Sequence, residues 1–367
     1  MTNSNLDRRS FIKSAGLVTA GGAVATTLAT PALAQDTREL KMVTTWGKNL
    51  PGLGTGAQRL ADRITKASDG RISVKLFAAG ELVPPFESHD AVQSGSADMY
   101  HGAEYYWQGK NKAFNFFAAV PMGLTAAEND AWMQFGGGQE LWDELSAGFG
   151  IKAFPAGNTG AQMGGWFRNE VNTVEDLKGI KMRMPGLGGE VLRRVGMTAV
   201  ALPGGEVFPA LQAGTIDATE WVGPWLDLTF GFYKVAKFYY GPGFHEPGTT
   251  LSLGINKGIW DSMSEADQEL ISACAYAENN QMYSEINFRN GAALAELVNV
   301  HGVQRRDFSD EIFEAFAKAS EEVVSEVAED DLGRRIVESF RKARTELGGW
   351  LNVQELPYVQ RRNKYLG

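Results

Sequence analysis

Phe86-Glu87-Ser88-His89-Asp90-Ala91-Val92-Gln93-Ser94-Gly95-Ser96-Ala97-Asp98 has an echo in Phe208-Pro209-Ala210-Leu211-Gln212-Ala213-Gly214-Thr215-Ile216-Asp217. In each copy a helix reads out as Ala-Val/Leu-Gln-x, a Gly supplies the left-handed residue that ends it, and an Asp soon afterwards opens a strand. Helix–Gly–strand turns are common in proteins. A repeat that also keeps the residues around the turn points to two lobes built from equivalent units. On that reading Tyr100 to Tyr106 and Glu220 to Trp225 follow equivalent strands and line a crevice at the carboxyl ends of their sheets.

The flanking sequence has the same grammar. Glu39 to Gly47 reads as a strand; Leu60, Ile64 and Ala67 mark one face of a helix that stops at Gly70; Ile72, Val74 and Leu76 alternate as a second strand. Further strands are expected near Ile151 to Ala156, Gln162 to Arg168, Ile180 to Met184 and Asp217 to Val222. Such alternation predicts an α/β protein with mostly parallel sheets flanked by helices and a hinge between two lobes. From Ser264-Glu265-Ala266-Asp267, an N-cap with an acidic N3, the chain turns to long amphipathic helices broken near His301-Gly302 and Ser309. The expected layout is a first lobe at 35–157, a second at 158–248, a return to the first at 249–305 and a helical region at 306–367. In that region Ile312, Phe313, Phe316, Val323, Val324, Val327, Ile336, Val337 and Phe340 form an apolar stripe that needs a covering surface, which predicts a homodimer through the C-terminal helices.

Asp7-Arg8-Arg9-Ser10-Phe11-Ile12-Lys13, an uncharged run from Ser14 to Thr30, and Pro31-Ala32-Leu33-Ala34 make a twin-arginine export signal over residues 1–34. Cleavage is expected after Ala34, and the mature protein in the periplasm. The run is short and weakly apolar for a membrane span. About 330 residues then remain, more than one core usually serves. A net charge of -9 and a pI near 5.2 argue against nucleic acid or anionic lipid as partner. The single Cys274 excludes a disulfide framework and cysteine-built metal or haem sites. His89, His101, His245 and His301 lack H-x-x-x-H spacing and read as surface or packing residues.

Chemistry concentrates near the expected strand ends. Gly157-Asn158-Thr159-Gly160-Ala161-Gln162-Met163-Gly164-Gly165 is glycine-dense where the chain should cross between lobes, which suits a hinge carrying amide side chains. Arg183 ends an apolar strand just before Pro185-Gly186, where a planar fork can hold a carboxylate by two parallel hydrogen bonds. Glu220 lies among Trp221, Val222 and Trp225 and needs a counter-charge or a metal, because burying it alone is costly. Carboxylate, amide and carbonyl oxygens together suit Na⁺ or Ca²⁺ rather than zinc or copper. A metal-dependent enzyme is the competing class, but the chain shows no paired nucleophile and base and no cofactor fingerprint.

Phe154 to Arg168, Val174-Glu175-Asp176-Leu177-Lys178-Gly179-Ile180-Lys181-Met182-Arg183 and Ala210 to Pro224 together resemble the solute-binding component of tripartite ATP-independent periplasmic (TRAP) transporters. The branch most similar binds 2-oxo or 2-hydroxy acids such as pyruvate and lactate with a bound cation, Na⁺ or Ca²⁺, with Na⁺ slightly favoured. The resemblance implies a two-lobed binding-protein fold that hands a small organic acid to two integral membrane subunits. It implies that Arg183 clamps the carboxylate, and that Gln162, Glu220 and the backbone of Trp221 hold the cation with Glu246 close by. Asn158, Tyr105 and Tyr100 are the remaining expected acid contacts. Met99-Tyr100-His101-Gly102-Ala103-Glu104 departs from the branch pattern. A sensory protein feeding a receptor shares the same expectations.

Overall fold

The computed structural model describes residues 37–367; the expected leader and its cleavage site lie outside them. The first half of the chain lays down β1 (Arg38–Thr44), α1 (Leu53–Ala67), β2 (Ile72–Phe77), α2 (Ser88–Gln93), β3 (Met99–Gly102), α3 (Ala126–Phe135), α4 (Gly138–Ala147) and β4 (Ile151–Asn158). Next come β5 (Gly165–Phe167), α5 (Val174–Leu177), β6 (Lys181–Arg183), α6 (Gly186–Arg194), β7 (Thr198–Val200), α7 (Gly204–Ala213), β8 (Ala218–Thr219), α8 (Pro224–Phe230) and β9 (Phe238–Gly241). The chain closes with β10 (Thr250–Asn256), α9 (Lys257–Asp261), α10 (Glu265–Asn299), β11 (Gln304–Asp307), α11 (Asp310–Ser325), α12 (Asp331–Val353) and α13 (Glu355–Leu366).

Two sheets result, ordered β2-β1-β3-β10-β4 and β7-β6-β8-β5-β9-β11. Strand for strand the first five positions correspond, so the echo in the sequence marks a repeated unit. Gly95 and Gly214 both sit at left-handed φ, +79° and +74°. Beyond each, an Asp brackets the neighbouring strand. Asp98 accepts from the Lys41 N–H and donates its own N–H to the Lys41 carbonyl, and Asp217 does the same with Lys181. The sheets are mixed rather than mostly parallel. The β1–β2, β1–β3, β6–β7, β6–β8 and β9–β11 pairings are parallel, while every antiparallel pairing involves β5 or β10. Each of those two strands follows directly on a short crossing from the other sheet.

The helices after β10 tie the sheets together. Ser264 caps α10 by accepting from the Asp267 N–H, and the helix is about 52 Å long at the usual rise. It packs on β4 and α1 with one part and on α8 with another. Glu278, fully buried on α10, takes Arg59 of α1 in a fork whose other arm reaches Glu285. β11 then pairs with β9, so Gln304 and Arg305 belong to the second sheet rather than to a returning first lobe. The apolar stripe expected to seek a partner is covered by the chain itself. Ile312, Phe316, Val323, Val324, Ile336, Val337 and Phe340 all sit in its own core. Phe340 meets Phe116 and Trp132 edge-on, at 5.0 and 5.3 Å between ring centroids.

Candidate functional site

Besides the long connection through α10, two short backbone crossings join the sheets, and they are paired with each other. One runs from Asn158 at the end of β4 to Gly165, the other from Gly241 to Thr250 at the start of β10. Thr159 N–H donates to the Thr249 carbonyl (3.0 Å), Gln162 N–H to that of Glu246 (3.1 Å), and Gly243 N–H to that of Gln162 (2.9 Å). Asn158 shapes this junction: its Oδ1 accepts from Gly160 N–H and its Nδ2 donates to Thr250. The Gln162 amide nitrogen reaches across to Glu246 (2.7 Å), to Thr249 and back to Thr159. Its oxygen is buried with no partner among the described residues.

Arg183 and Glu220 face each other from the ends of neighbouring strands β6 and β8. Both are about 1% exposed. Nη1 of Arg183 donates directly to one carboxylate oxygen of Glu220, and Nε to the Leu202 carbonyl at 3.2 Å. The guanidinium lies 5.1 Å over the Trp221 ring. Burial alone would lower the Arg183 pKa, but the Glu220 carboxylate outweighs it and keeps the group charged above its ordinary value. Nη2 of Arg183 and the second Glu220 oxygen remain without partners among the described residues. Burial, helped by Glu220, pushes the Glu246 carboxyl up to about 7, against the opposing pull of His245, Thr249 and Arg183.

A small cavity opens against this pair, lined by Trp46, Tyr105 and Tyr106 past the ends of β1 and β3, by Arg183 at the end of β6, and by Trp221 and Val222 after β8. Thr159 and Gln162 form its hinge side. It thus lies between the carboxyl ends of corresponding strands in the two sheets. Burial raises both tyrosine hydroxyls, that of Tyr106 to about 12, so they stay protonated and can donate. The chemistry on offer is one unspent guanidinium nitrogen, tyrosine hydroxyls and free oxygens.

Of the residues expected from sequence, Arg183, Gln162, Tyr105 and Trp221 line this cavity, and Glu220 and Glu246 stand directly behind it. Asn158 spends both ends of its amide on the crossing. Tyr100 is elsewhere, which corrects the expectation: it is fully buried in the first-sheet core against Trp107, its hydroxyl donating to Glu104 at 2.7 Å. β3 turns its Tyr100 side chain inward, and only the residues after the strand reach the crevice. His89, His101 and His245 are buried, in line with the packing alternative of the sequence reading. The sequence reading missed Trp46, Thr249 and His245, and named Tyr106 and Thr159 only as parts of the crevice and hinge segments. Trp46 was recoverable, since it lies just past the end of β1, as Tyr105 and Tyr106 lie just past the end of β3.

Donor atoms of Glu220, His245 and Glu246 lie within 4.8 Å of one another. With the unpartnered oxygens of Gln162 and Glu220, the donor set fits a cation held mainly by oxygen.

The family model of bacterial extracellular solute-binding protein, family 7, matches residues 42–331. A monocarboxylate 2-oxoacid-binding periplasmic protein of Nostoc sp. is 41% identical over 319 residues, 87% of each chain. Among solved structures, a TRAP periplasmic solute-binding protein of Pseudoalteromonas atlantica with bound sodium and pyruvate superposes with a TM-score of 0.85 at 38% identity, over 88% of this chain and 99% of the other. One from Colwellia psychrerythraea with bound calcium and pyruvate gives 0.86 at 39% identity, over 89% and 99%.

Proposed function

Since this chain belongs to bacterial extracellular solute-binding protein family 7, we propose that it captures a small 2-oxo or 2-hydroxy monocarboxylate such as pyruvate or lactate, with a cation, in the periplasm and delivers it to a TRAP-type transporter. The observation that carries this reading is the buried Arg183, half-spent on Glu220, at the wall of a small cavity. A carboxylate entering there takes the planar fork by two charge-assisted hydrogen bonds, and exclusion of water strengthens them. The paired crossings serve as hinge. Gln162, Glu220 and the backbone of Trp221 would hold Na⁺ or Ca²⁺, with Glu246 behind them. A bound cation supplies positive charge that occupies Glu220 and lets the acid replace it on Arg183. Acid and cation therefore support each other's binding.

The test is calorimetric titration of pyruvate into wild type and Glu220→Gln, with and without Na⁺ or Ca²⁺. Wild type should bind more tightly with the cation, and Glu220→Gln should lose both affinity and cation dependence. Tighter binding by Glu220→Gln, or wild-type affinity indifferent to removal of all Na⁺ and divalent ions, refutes the cation bridge.

Two finer assignments accompany this reading. Accumulation of the uncleaved chain in cells lacking the twin-arginine translocase, and a mature N-terminus at Gln35, would support the export route. A second copy of the chain is the partner we assign to the C-terminal helices. Their own core is filled, but Trp350, Val353, Leu356, Tyr358, Val359, Tyr365 and Leu366 are exposed, and α13 buries none of its residues. A 12-residue helix of this kind is marginal in water without a covering surface. Light scattering should give a dimer for the full chain and a monomer when it ends at Val353; a monomeric full chain refutes the assignment.

A further inference from the structure

Asp227 of α8 is buried, and both of its carboxylate oxygens are engaged. Oδ2 accepts from the Trp166 indole of β5 at 2.9 Å and from the Tyr239 hydroxyl of β9 at 2.7 Å, while Oδ1 accepts from the Val222 N–H at 3.1 Å. Trp166 and Tyr239 are themselves buried and stack on each other at 4.0 Å between ring centroids. Placing a carboxylate in such a core is costly, and a well-packed apolar side chain would avoid the cost. What the carboxylate provides is direction. Two aromatic donors, rigid and on neighbouring strands, fix one oxygen and thereby the other, which faces Val222. Trp166 adjoins the end of the first crossing and Tyr239 stands two residues before the second, so this anchor lies at the root of the hinge.

The Val222 N–H and the Trp221 carbonyl belong to one planar peptide unit, so holding the first sets the direction of the second. That carbonyl accepts from no backbone N–H of the described turns and loops. Its surroundings are pinned on either side. Glu220 N–H donates to the Arg183 carbonyl at 3.3 Å, and the Val222 carbonyl accepts from Met163 N–H at 3.1 Å. The Trp221 ring is packed so closely that a Cβ on Gly204 would come within 2.5 Å of it. We propose that Asp227 is a positioning residue for the bound cation: by holding Val222 N–H it keeps the Trp221 carbonyl aimed at the ion. The inference deepens the proposed function and rests on its reading of that carbonyl as a cation ligand. Groups that orient a metal ligand in this way typically set metal affinity by about 10- to 100-fold.

The test is calorimetry of the mature protein with pyruvate and Ca²⁺ in buffer free of Na⁺. Asp227→Asn keeps the size but turns an amide NH₂ towards a donor, so Ca²⁺ should bind it about tenfold or more weakly than wild type. The gain in pyruvate affinity that Ca²⁺ gives should shrink with it. Tyr239→Phe removes one donor from Oδ2 and keeps the ring, and should weaken Ca²⁺ by about threefold. A merely structural role would weaken pyruvate equally with and without Ca²⁺ and preserve the gain. In wild type holding pyruvate, Ca²⁺ should also shift the Val222 amide ¹⁵N, because an ion on the Trp221 carbonyl polarises the shared peptide unit. That readout needs no variant to fold. A folded Asp227→Asn with the wild-type gain, or a Val222 ¹⁵N that Ca²⁺ leaves unmoved, overturns the proposal. Wild-type pyruvate affinity indifferent to both Na⁺ and Ca²⁺ would instead refute the cation bridge of the proposed function.

Discussion

Arg183 gives the acid clamp its geometry as well as its charge, since a guanidinium offers parallel donors in one plane and an ammonium does not. Arg183→Lys should therefore weaken pyruvate binding by about 2 kcal/mol or more, roughly thirtyfold, by calorimetry on a folded variant. Unchanged affinity would take Arg183 out of the site. His101 illustrates the opposite use of a polar residue. Its Nδ1 accepts from the Trp46 indole (2.9 Å) and its Nε2 faces the Ala156 carbonyl (3.1 Å), so the neutral Nε2–H form satisfies both. Burial lowers its pKa to about 4. As pH falls below about 6.5 the unfolded chain takes up this proton and the folded one does not. The stability contributed by His101 is thus full above that pH and is lost towards pH 4, a change on the order of 3 kcal/mol. Glu104, pushed up to about 7 by burial, acts with the opposite sign, losing its contribution as pH rises towards 7. Histidine ¹⁵N NMR should show His101 as the Nε2–H tautomer until near pH 4; titration near 6.5 would contradict this.

At the scale of elements, the repeated unit depends on local rules that any chain obeys. Gly95 and Gly214 occupy left-handed φ after α2 and α7, with open space where a Cβ would lie. Only backbone strain then opposes a side chain. Gly95→Ala and Gly214→Ala should each lower stability by about 1 kcal/mol in urea unfolding and leave pyruvate affinity unchanged. An effect at one position and none at the other would break the equivalence. These turns were legible because glycine and the following Asp act within a few residues. Strand lengths were less so. The stretch Asp217 to Val222 contributes only Ala218 and Thr219 to the ladder, because Glu220 onward is diverted into the site, where Asp227 accepts the Val222 N–H.

Over the whole molecule, closure depends on contacts between the two halves as well as on the hinge. Asn115, fully buried in the turn Lys112–Phe117, accepts from the Leu187 N–H of α6 at 3.0 Å. Gly186 makes this approach possible, since a Cβ there would lie 2.9 Å from the same Asn115 oxygen. Asn115→Ala removes one interlobe hydrogen bond of about 1 kcal/mol. It should weaken pyruvate binding by about fivefold, chiefly through faster release in stopped-flow measurements. Wild-type release rates would show that this contact is not part of the closed state.

The sequence alone determined the βαβ alternation, the two equivalent units, the cap of α10 and the placing of Arg183, Gln162 and Glu220 near strand ends. These follow from propensity, capping and backbone sterics, which operate over a few neighbouring residues. Tertiary structure decided the rest. It paired the second crossing with the first, bringing Glu246 to Gln162 and His245 to Glu220 across stretches of chain that no local pattern spans. It reversed β5 and β10 and so mixed the sheets, and it drew Tyr100 into the core while leaving Tyr105 at the cavity. It also folded the C-terminal stripe onto the chain's own aromatic core. An apolar stripe states that a surface must be covered; which surface covers it depends on the packing of the whole chain.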